Sequence, residues 1–129
     1  MAFERAWVKA LGLLLLAYAA ASLVHHVHNA EFLADYPNMP RWITRPAVYA
    51  AWLGETMLGV AGYVLLRRGH LAFGLGVIAV YAALGFDAFA HYALAPAAAH
   101  TAGMNATIWL EAATAALVFI ALAALVKRP

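Results

Sequence analysis

Histidine and carboxylate residues collect at a few places in an otherwise apolar sequence. Three histidines stand within four positions, at His25, His26 and His28, in the stretch SLVHHVHNAEFLADYPNMPRW. Asp87 and His91 lie four residues apart further along the chain. Imidazole nitrogens and carboxylate oxygens bind transition metals and also transfer protons near neutral pH. These residues therefore indicate either a metal site or acid–base chemistry.

The remainder of the chain has the composition of a membrane protein. Of its 129 residues, 67% are apolar and 11% are charged, and the mean hydropathy is +0.80. Water-soluble domains carry about a quarter charged residues. Four apolar stretches reach the roughly 20 residues that a helix needs to cross a bilayer, at 7–28, 47–66, 71–94 and 105–126. We therefore predict an all-α integral membrane protein, a single domain over 1–129 that forms an antiparallel four-transmembrane-helix bundle.

Lysine and arginine are distributed unevenly between the two ends of this predicted bundle. One end collects Arg5, Lys9, Arg67, Arg68, Lys127 and Arg128. The other end has only Arg41 and Arg45. The positive-inside rule then predicts cytoplasmic termini and a histidine cluster toward the periplasm of a bacterial inner membrane. The first apolar stretch also resembles a secretory signal, but we interpret it as an uncleaved helix because the histidines need it.

Antiparallel helices should bring the ionisable residues to one depth. Glu55 lies about two turns into the second predicted helix, and Glu111 lies a turn or two into the fourth. Both are then near the level of the three histidines, Asp87 and His91. Asp87 and His91 are expected to share one helix face because they are four residues apart. We thus predict a layer of histidines and carboxylates in the outer leaflet.

Three carboxylates in one membrane layer must be protonated, paired or neutralised by a cation. A divalent transition metal such as zinc, iron, copper or manganese would meet this need. The candidate metal ligands are His25, His28, His91, Asp87 and Glu111. Additional candidates are His26, Asn29, Glu31, His100 and Asn105. The candidate catalytic carboxyl groups, one of them a general base, are Glu55, Asp87 and Glu111.

Three functions fit this predicted layer. The first is a metal-dependent membrane enzyme, an oxidoreductase or hydrolase, acting on a small lipophilic substrate near the outer leaflet. The second is a metal-free acid–base isomerase of a sterol- or terpene-like lipid. The third is a protein that binds or transports a metal or haem. Membrane lipids are the expected partners, a homo-oligomer stays open, and no nucleic-acid partner is expected because the basic residues serve as membrane anchors.

Purely structural roles compete with these functions. A hydrogen bond at the membrane interface is a simpler interpretation of His28 alone. Asp87 and His91 could form an internal pair that ties helices together, and Glu55 and Glu111 could be satisfied structural carboxyl groups.

Local signals predict details at the helix ends. Tyr36, Trp42 and Trp109 fit an interfacial aromatic belt. Thr44 predicts the start of the second helix, and Asn105 predicts the N-cap of the fourth.

The first histidine cluster carries a resemblance to a known family. The stretch HHVHNAEFLADYPNMPRW, followed by a further outward histidine after the third span, resembles the H-x-x-E-E family of small membrane proteins. The resemblance places the motif on His28 and Glu31, with Phe32 where the second glutamate is expected. The later Y-x-P-G element of that family is missing. That family has no established activity, so the resemblance supports the histidines as a motif and implies no reaction.

Overall fold

The computed structural model describes residues 2–126, with side chains from Ala6 onward, and this part of the chain contains helices and no β-strand. Its α-helices are α1 (Ala2–Glu31), α2 (Arg45–Arg67), α3 (Leu71–Leu84), α4 (Ala90–Leu94) and α5 (Ala102–Val126). Short 3-10 helices cover Leu33–Asp35, Gly85–Phe89 and Ala97–Ala99. The middle one joins α3 to α4 without a break, so α3, this segment and α4 form one rod.

With α1, α2 and α5 also counted as rods, the described chain has four rods that are long and apolar enough to cross a membrane. They are Ala6–Glu31, Arg45–Arg67, Leu71–Leu94 and Ala102–Val126. The predicted all-α integral membrane bundle is therefore confirmed. The observed third span, Leu71–Leu94, has the predicted bounds. Each of the other three observed spans is longer than predicted, at one end or at both. Of the basic residues used to predict orientation, Arg5, Lys127 and Arg128 lie outside the described side chains.

The four rods pack in a ring. α1 packs against both α2 and α5, and the α3 rod closes the ring by packing against α2 and α5. Only Arg68, Gly69 and His70 separate α2 from α3, and a turn this short reverses the chain. This arrangement places the C-terminal ends of α1 and α4 beside the starts of α2 and α5.

Side chains define where two of the helices begin. The Thr44 hydroxyl accepts a hydrogen bond from the backbone nitrogen of Ala47 at 3.4 Å, so the predicted start of α2 is confirmed. The N-cap predicted at Asn105 is wrong, because α5 begins one turn earlier. There the Thr101 hydroxyl accepts a hydrogen bond from the backbone nitrogen of Met104 at 3.2 Å and takes the capping role.

The apolar core occupies the half of the bundle nearer the turn between α2 and α3. Its buried members are Leu11, Leu15, Tyr18, Leu66, Ile78, Tyr81, Ala82, Ala115, Val118 and Leu122. α2 and α3 approach closely there, since a Cβ atom added to Gly74 would lie 2.7 Å from the backbone nitrogen of Leu66. Small residues permit such contacts in membrane bundles, where packing replaces the hydrophobic effect between helices. The opposite half is left for polar side chains.

Candidate functional site

His25 of α1 is held between two residues of α5. Its Nδ1 atom lies 3.2 Å from the hydroxyl of Thr107, and that hydroxyl donates its own proton to the Met104 carbonyl at 3.0 Å. With the Thr107 proton on that carbonyl, the Thr107 oxygen accepts from His25, and we infer that His25 carries its proton on Nδ1. The lone pair of Nε2 is left free, and Nε2 lies 3.8 Å from Oε2 of Glu111.

His26 repeats this arrangement toward α2. Its Nδ1 atom lies 2.9 Å from the Ser22 carbonyl oxygen. Because a carbonyl oxygen only accepts, Nδ1 of His26 also carries the proton. The free Nε2 atom lies 3.9 Å from Oε2 of Glu55. Two consecutive histidines thus point the same unprotonated ring atom at carboxyl groups on two different helices.

We call His25, His26, Glu55 and Glu111 the His–Glu cluster. Nδ1 of His26 also lies 4.0 Å from Oε1 of Glu111, so the four side chains form one continuous series across α1, α2 and α5. Glu111 is only 2% exposed, and its Oε2 atom has no hydrogen-bond partner among the described residues. Distances of 3.8–4.0 Å exceed a hydrogen bond and are short enough for a proton to pass after a small side-chain movement or through one water.

A second group of rings lies beside the His–Glu cluster and includes a residue of the connection that follows α1. Tyr36 is only 3% exposed, and its ring centroid lies 4.6 Å from that of His91 and 6.3 Å from that of His100. The Tyr36 hydroxyl lies 3.0 Å from Nδ1 of His28. Burial raises the pKa of Tyr36 to about 12, so this phenol stays neutral at physiological pH. We call Tyr36, His28, His91 and His100 the outer ring group.

His91 connects the two groups. Its ring centroid lies 5.3 Å from that of His25, and its Nε2 atom accepts a hydrogen bond from Nδ2 of Asn29 at 3.2 Å. His100 donates from Nδ1 to the Pro96 carbonyl at 3.1 Å. The predicted residues His91, His100 and Asn29 are thus brought near His25, as neighbours of the His–Glu cluster.

Asp87 departs from the sequence-based expectation. It is exposed, whereas His91 is buried, so the two differ in their surroundings. Asp87 nevertheless lies within electrostatic range of Glu55 and Glu111. Asp87 lies in the 3-10 segment Gly85–Phe89, which turns about 120° per residue instead of about 100°. The faster rotation removes the four-residue stacking on which the prediction depended.

Two further candidates, Glu31 and His28, are engaged elsewhere. Glu31 pairs with Arg45 at 2.6 Å and accepts a hydrogen bond from the Tyr49 hydroxyl at 2.6 Å, on the surface of the bundle. Its contacts join the end of α1 to the start of α2. His28 contacts Tyr36 rather than the His–Glu cluster.

Asn105 secures the connection before α5. Its Oδ1 atom accepts from the Tyr92 hydroxyl at 2.6 Å, and its Nδ2 atom donates to the carbonyls of Ala97 and His100 at 3.0 and 3.3 Å. All of its polar atoms are occupied, so the structure gives Asn105 a supporting role.

The residues that could hold a metal are spread out. Among residues 6–126, no three histidine, aspartate or glutamate side chains are grouped closely enough to hold a metal ion. His25 and Glu111 come nearest to a pair of ligands, with His26 beside them. The predicted set therefore separates into the His–Glu cluster, the outer ring group and four further residues, Asn29, Glu31, Asp87 and Asn105.

Tyr36 is the buried site residue that the sequence-based interpretation missed. It was expected in an interfacial belt with Trp42 and Trp109, which are indeed 80% and 58% exposed. The sequence signal that could have indicated this position is the proline that follows it, Pro37, because a residue before proline favours an extended backbone. The Tyr36 backbone is indeed extended, at the point where the 3-10 turn Leu33–Asp35 ends. This turn directs the ring inward onto the histidines.

Comparison with known proteins gives no further guidance. No protein-family model matches the chain, and neither a curated protein nor a solved structure matches it.

Proposed function

We propose that the His–Glu cluster is the acid–base site of a membrane-embedded isomerase whose substrate is a sterol- or terpene-like lipid. The observation that carries the proposal is the repeated arrangement of His25 and His26, each presenting an unprotonated Nε2 atom to a buried or half-buried carboxyl group. Such a pair shares one proton and can release it or take it up. A structural tie between helices would need only one such pair.

Glu55 is the group that meets the substrate in this proposal. Its side chain is 21% exposed, against 2% for Glu111, so it is the carboxyl group of the cluster that reaches the surface of the bundle. The Glu55 carboxylate removes a proton from an activated carbon of the lipid, and the double bond shifts. A proton is then added to another carbon of the same molecule from the cluster, whose carboxyl groups exchange protons with solvent, so the reaction needs no oxidant or cosubstrate. His26 and Glu111 hold the proton between the two steps.

The charge distribution supports an orientation for this site. Of the described basic side chains, Lys9, Arg67 and Arg68 belong to the end with the short turn, and Arg41 and Arg45 belong to the opposite end. The positive-inside rule then favours a cytoplasmic location for the turn. The His–Glu cluster would lie in the periplasmic half of a bacterial inner membrane.

A divalent transition metal at the same cluster, serving an oxidoreductase or hydrolase, is the second candidate. One observation favours it: Oε2 of Glu111 is buried without a hydrogen-bond partner among the described residues and faces the free Nε2 of His25. Zinc binds imidazole nitrogen and carboxylate oxygen at about 2.0–2.2 Å. A third ligand would have to come from His26 or Glu55, which requires these side chains to move closer together.

Deuterium transfer tests the acid–base proposal without knowledge of the substrate. Purified protein is incubated with a bacterial lipid extract in heavy water, and the lipids are analysed by mass spectrometry. We expect deuterium in one neutral lipid class, because the proton returned to carbon comes from a carboxyl group that exchanges with solvent. Glu55→Gln and Glu111→Gln should each reduce the incorporation at least about a hundredfold. Glu31→Gln, which alters a surface ion pair, is the matched control and should retain it.

The same preparations distinguish the two candidates. Elemental analysis of protein purified without chelator should show no stoichiometric metal if the acid–base proposal is correct. If the wild type binds one metal ion per chain and His25→Ala does not, the acid–base proposal is contradicted and the metal-dependent candidate is supported. Absence of both deuterium incorporation and metal would contradict both.

A further inference from the structure

A series of hydrogen-bonding side chains leads from the last turn of α1 to the His–Glu cluster. Nδ1 of His28 lies 3.0 Å from the Tyr36 hydroxyl. The Tyr36 hydroxyl is in hydrogen-bonding relation to the Thr107 side chain. The Thr107 hydroxyl lies 3.2 Å from Nδ1 of His25. Residues of α1, of the connection that follows it and of α5 thus form one series of groups that can carry a proton.

His28 is the most exposed member of this series. It stands in the last turn of α1 and is half-buried, whereas His25, Tyr36 and Thr107 are buried. Its Nε2 atom lies beside Gly103, an exposed residue in the first turn of α5, and a Cβ atom added to Gly103 would lie 3.1 Å from it. The glycine therefore leaves Nε2 of His28 uncovered on that side.

The inner end of the series is a buried acid–base pair of the His–Glu cluster. Nε2 of His25 lies 3.8 Å from Oε2 of Glu111, and this oxygen has no hydrogen-bond partner among the described residues. His25 is 3% exposed and Glu111 is 2% exposed, so neither side chain meets bulk water. Buried groups that gain and lose protons within a membrane depend on neighbouring side chains to carry them.

We propose that His28, Tyr36 and Thr107 are a proton relay that connects the pair of His25 and Glu111 with the water at this end of the bundle. The inference rests on the acid–base role proposed for the His–Glu cluster, and it does not depend on the identity of the lipid substrate. It gives the buried phenol of Tyr36 a function in proton supply.

Each member of the relay can accept one proton and release another. A proton from the Glu111 carboxyl group moves to Nε2 of His25, and His25 releases its Nδ1 proton to the Thr107 oxygen. The Thr107 hydroxyl turns from its backbone acceptor toward Tyr36 and passes its own proton to the phenol oxygen. Tyr36 gives its proton to Nδ1 of His28, and His28 releases one from Nε2 to water. The reverse sequence returns a proton to Glu111.

Hydrogen exchange at His25 measures the relay directly. The protein is labelled with ¹⁵N-histidine and placed in phosphatidylcholine nanodiscs, and NMR follows the exchange of the His25 Nδ1 proton with water. We expect Tyr36→Phe and His28→Phe each to slow this exchange at least about tenfold, which corresponds to a barrier to proton transfer raised by about 1.4 kcal/mol. Tyr92→Phe is the matched control, because it removes a phenol that donates to Asn105 outside the relay, and it should exchange like the wild type.

The ¹⁵N chemical shift of His25 separates a relay from a structural role. Thr107 still accepts the Nδ1 proton in both variants, so the His25 tautomer should be unchanged while its exchange slows. His28→Phe, a change at a half-buried ring, decides the question if Tyr36→Phe does not fold. Exchange as fast as in the wild type in the folded variants would overturn the proposal. Slower exchange in Glu55→Gln without slowing in Tyr36→Phe would also overturn it, since the proton would then arrive through α2.

The deuterium experiment on lipids has a separate outcome. Lipid labelling by the wild type, together with unchanged His25 exchange in Tyr36→Phe and His28→Phe, would overturn the relay and leave the acid–base proposal standing. Slowed exchange in these variants without any lipid labelling by the wild type would support the relay and contradict the isomerase.

Discussion

His25 and His26 are each oriented by the ring nitrogen that does not face a carboxyl group. The Thr107 hydroxyl and the Ser22 carbonyl fix the proton on Nδ1, and this leaves Nε2 as the reactive atom in both cases. The orientation depends on α5 for one histidine and on α1 itself for the other. The two histidines should therefore respond differently to substitutions in α5.

Thr107→Val should disturb His25 and leave His26 unchanged. The substitution removes the acceptor for Nδ1 of His25 in a buried site, so we expect a loss of about 1–2 kcal/mol in the free energy of unfolding. It should also change the His25 tautomer, which ¹⁵N NMR of labelled histidine measures directly. Thr114→Val is the matched control on the same helix, because Thr114 bonds only backbone carbonyls of α5. An unchanged His25 spectrum in Thr107→Val would contradict the assigned tautomer.

Glycines determine how closely α2 and α3 approach at the scale of whole helices. Gly74→Ala should separate them, because the new methyl group would meet the backbone nitrogen of Leu66 at 2.7 Å and the carbonyl oxygen of Gly62 at 2.9 Å. Backbone atoms cannot move aside as a flexible side chain can, so we expect a loss of about 1–3 kcal/mol. Thermal unfolding in detergent measures the effect.

Gly76→Ala is the control within the same helix. Apart from the adjacent residues and the nearby backbone of the same helix, no described atom lies within 4 Å of an added Cβ atom there. Alanine also favours helix over glycine by about 1 kcal/mol, so this variant should be as stable as the wild type or more stable. Equal destabilisation of both variants would mean that the close contact between α2 and α3 does not limit their packing.

The helices were predictable because length and hydropathy alone determine which segments can span a bilayer. The meeting of His25, His26, Glu55 and Glu111 was also foreseen in outline, since antiparallel helices of similar length put these residues at one depth. The exposure of Asp87 was not foreseen, because nothing in the Leu71–Leu94 sequence indicates that five residues adopt a 3-10 helix. The inward Tyr36 was missed because an aromatic residue beside a proline fits a surface belt equally well. Both misses concern rotation about a helix or turn, which hydropathy does not encode.

The two halves of the molecule differ in content. The half that contains the turn between α2 and α3 is an apolar core, and the opposite half holds the His–Glu cluster beneath the connection that follows α1. In that connection Asn38 donates to the Leu94 carbonyl at 2.9 Å, so the connection is fastened to the end of α4. The connection thereby covers the end of the bundle that contains the cluster.

Reporter fusions test the orientation of the whole molecule. Alkaline phosphatase, which is active only in the periplasm, should be inactive after Pro129 and active when inserted after Ala98. Green fluorescent protein should give the reverse pattern, because it folds after export only poorly. Replacing Arg67 and Arg68 with glutamine is the matched perturbation and should lower the fraction of molecules with this orientation. Phosphatase activity after Pro129 in the unaltered chain would invert the topology and place the His–Glu cluster in the cytoplasmic half.

The three-residue turn between α2 and α3 also bears on how the protein is made. Synthesis proceeds from the N-terminus, so α1, α2 and α3 are made before α5. Glu111 is therefore the last member of the His–Glu cluster to enter the membrane. Its burial as a single acidic residue would be costly in bare lipid, but it arrives where His25 and His26 already line one side of an open ring. We expect insertion of the last span to depend on the earlier ones, so that the histidines assist the biogenesis of the bundle as well as its chemistry.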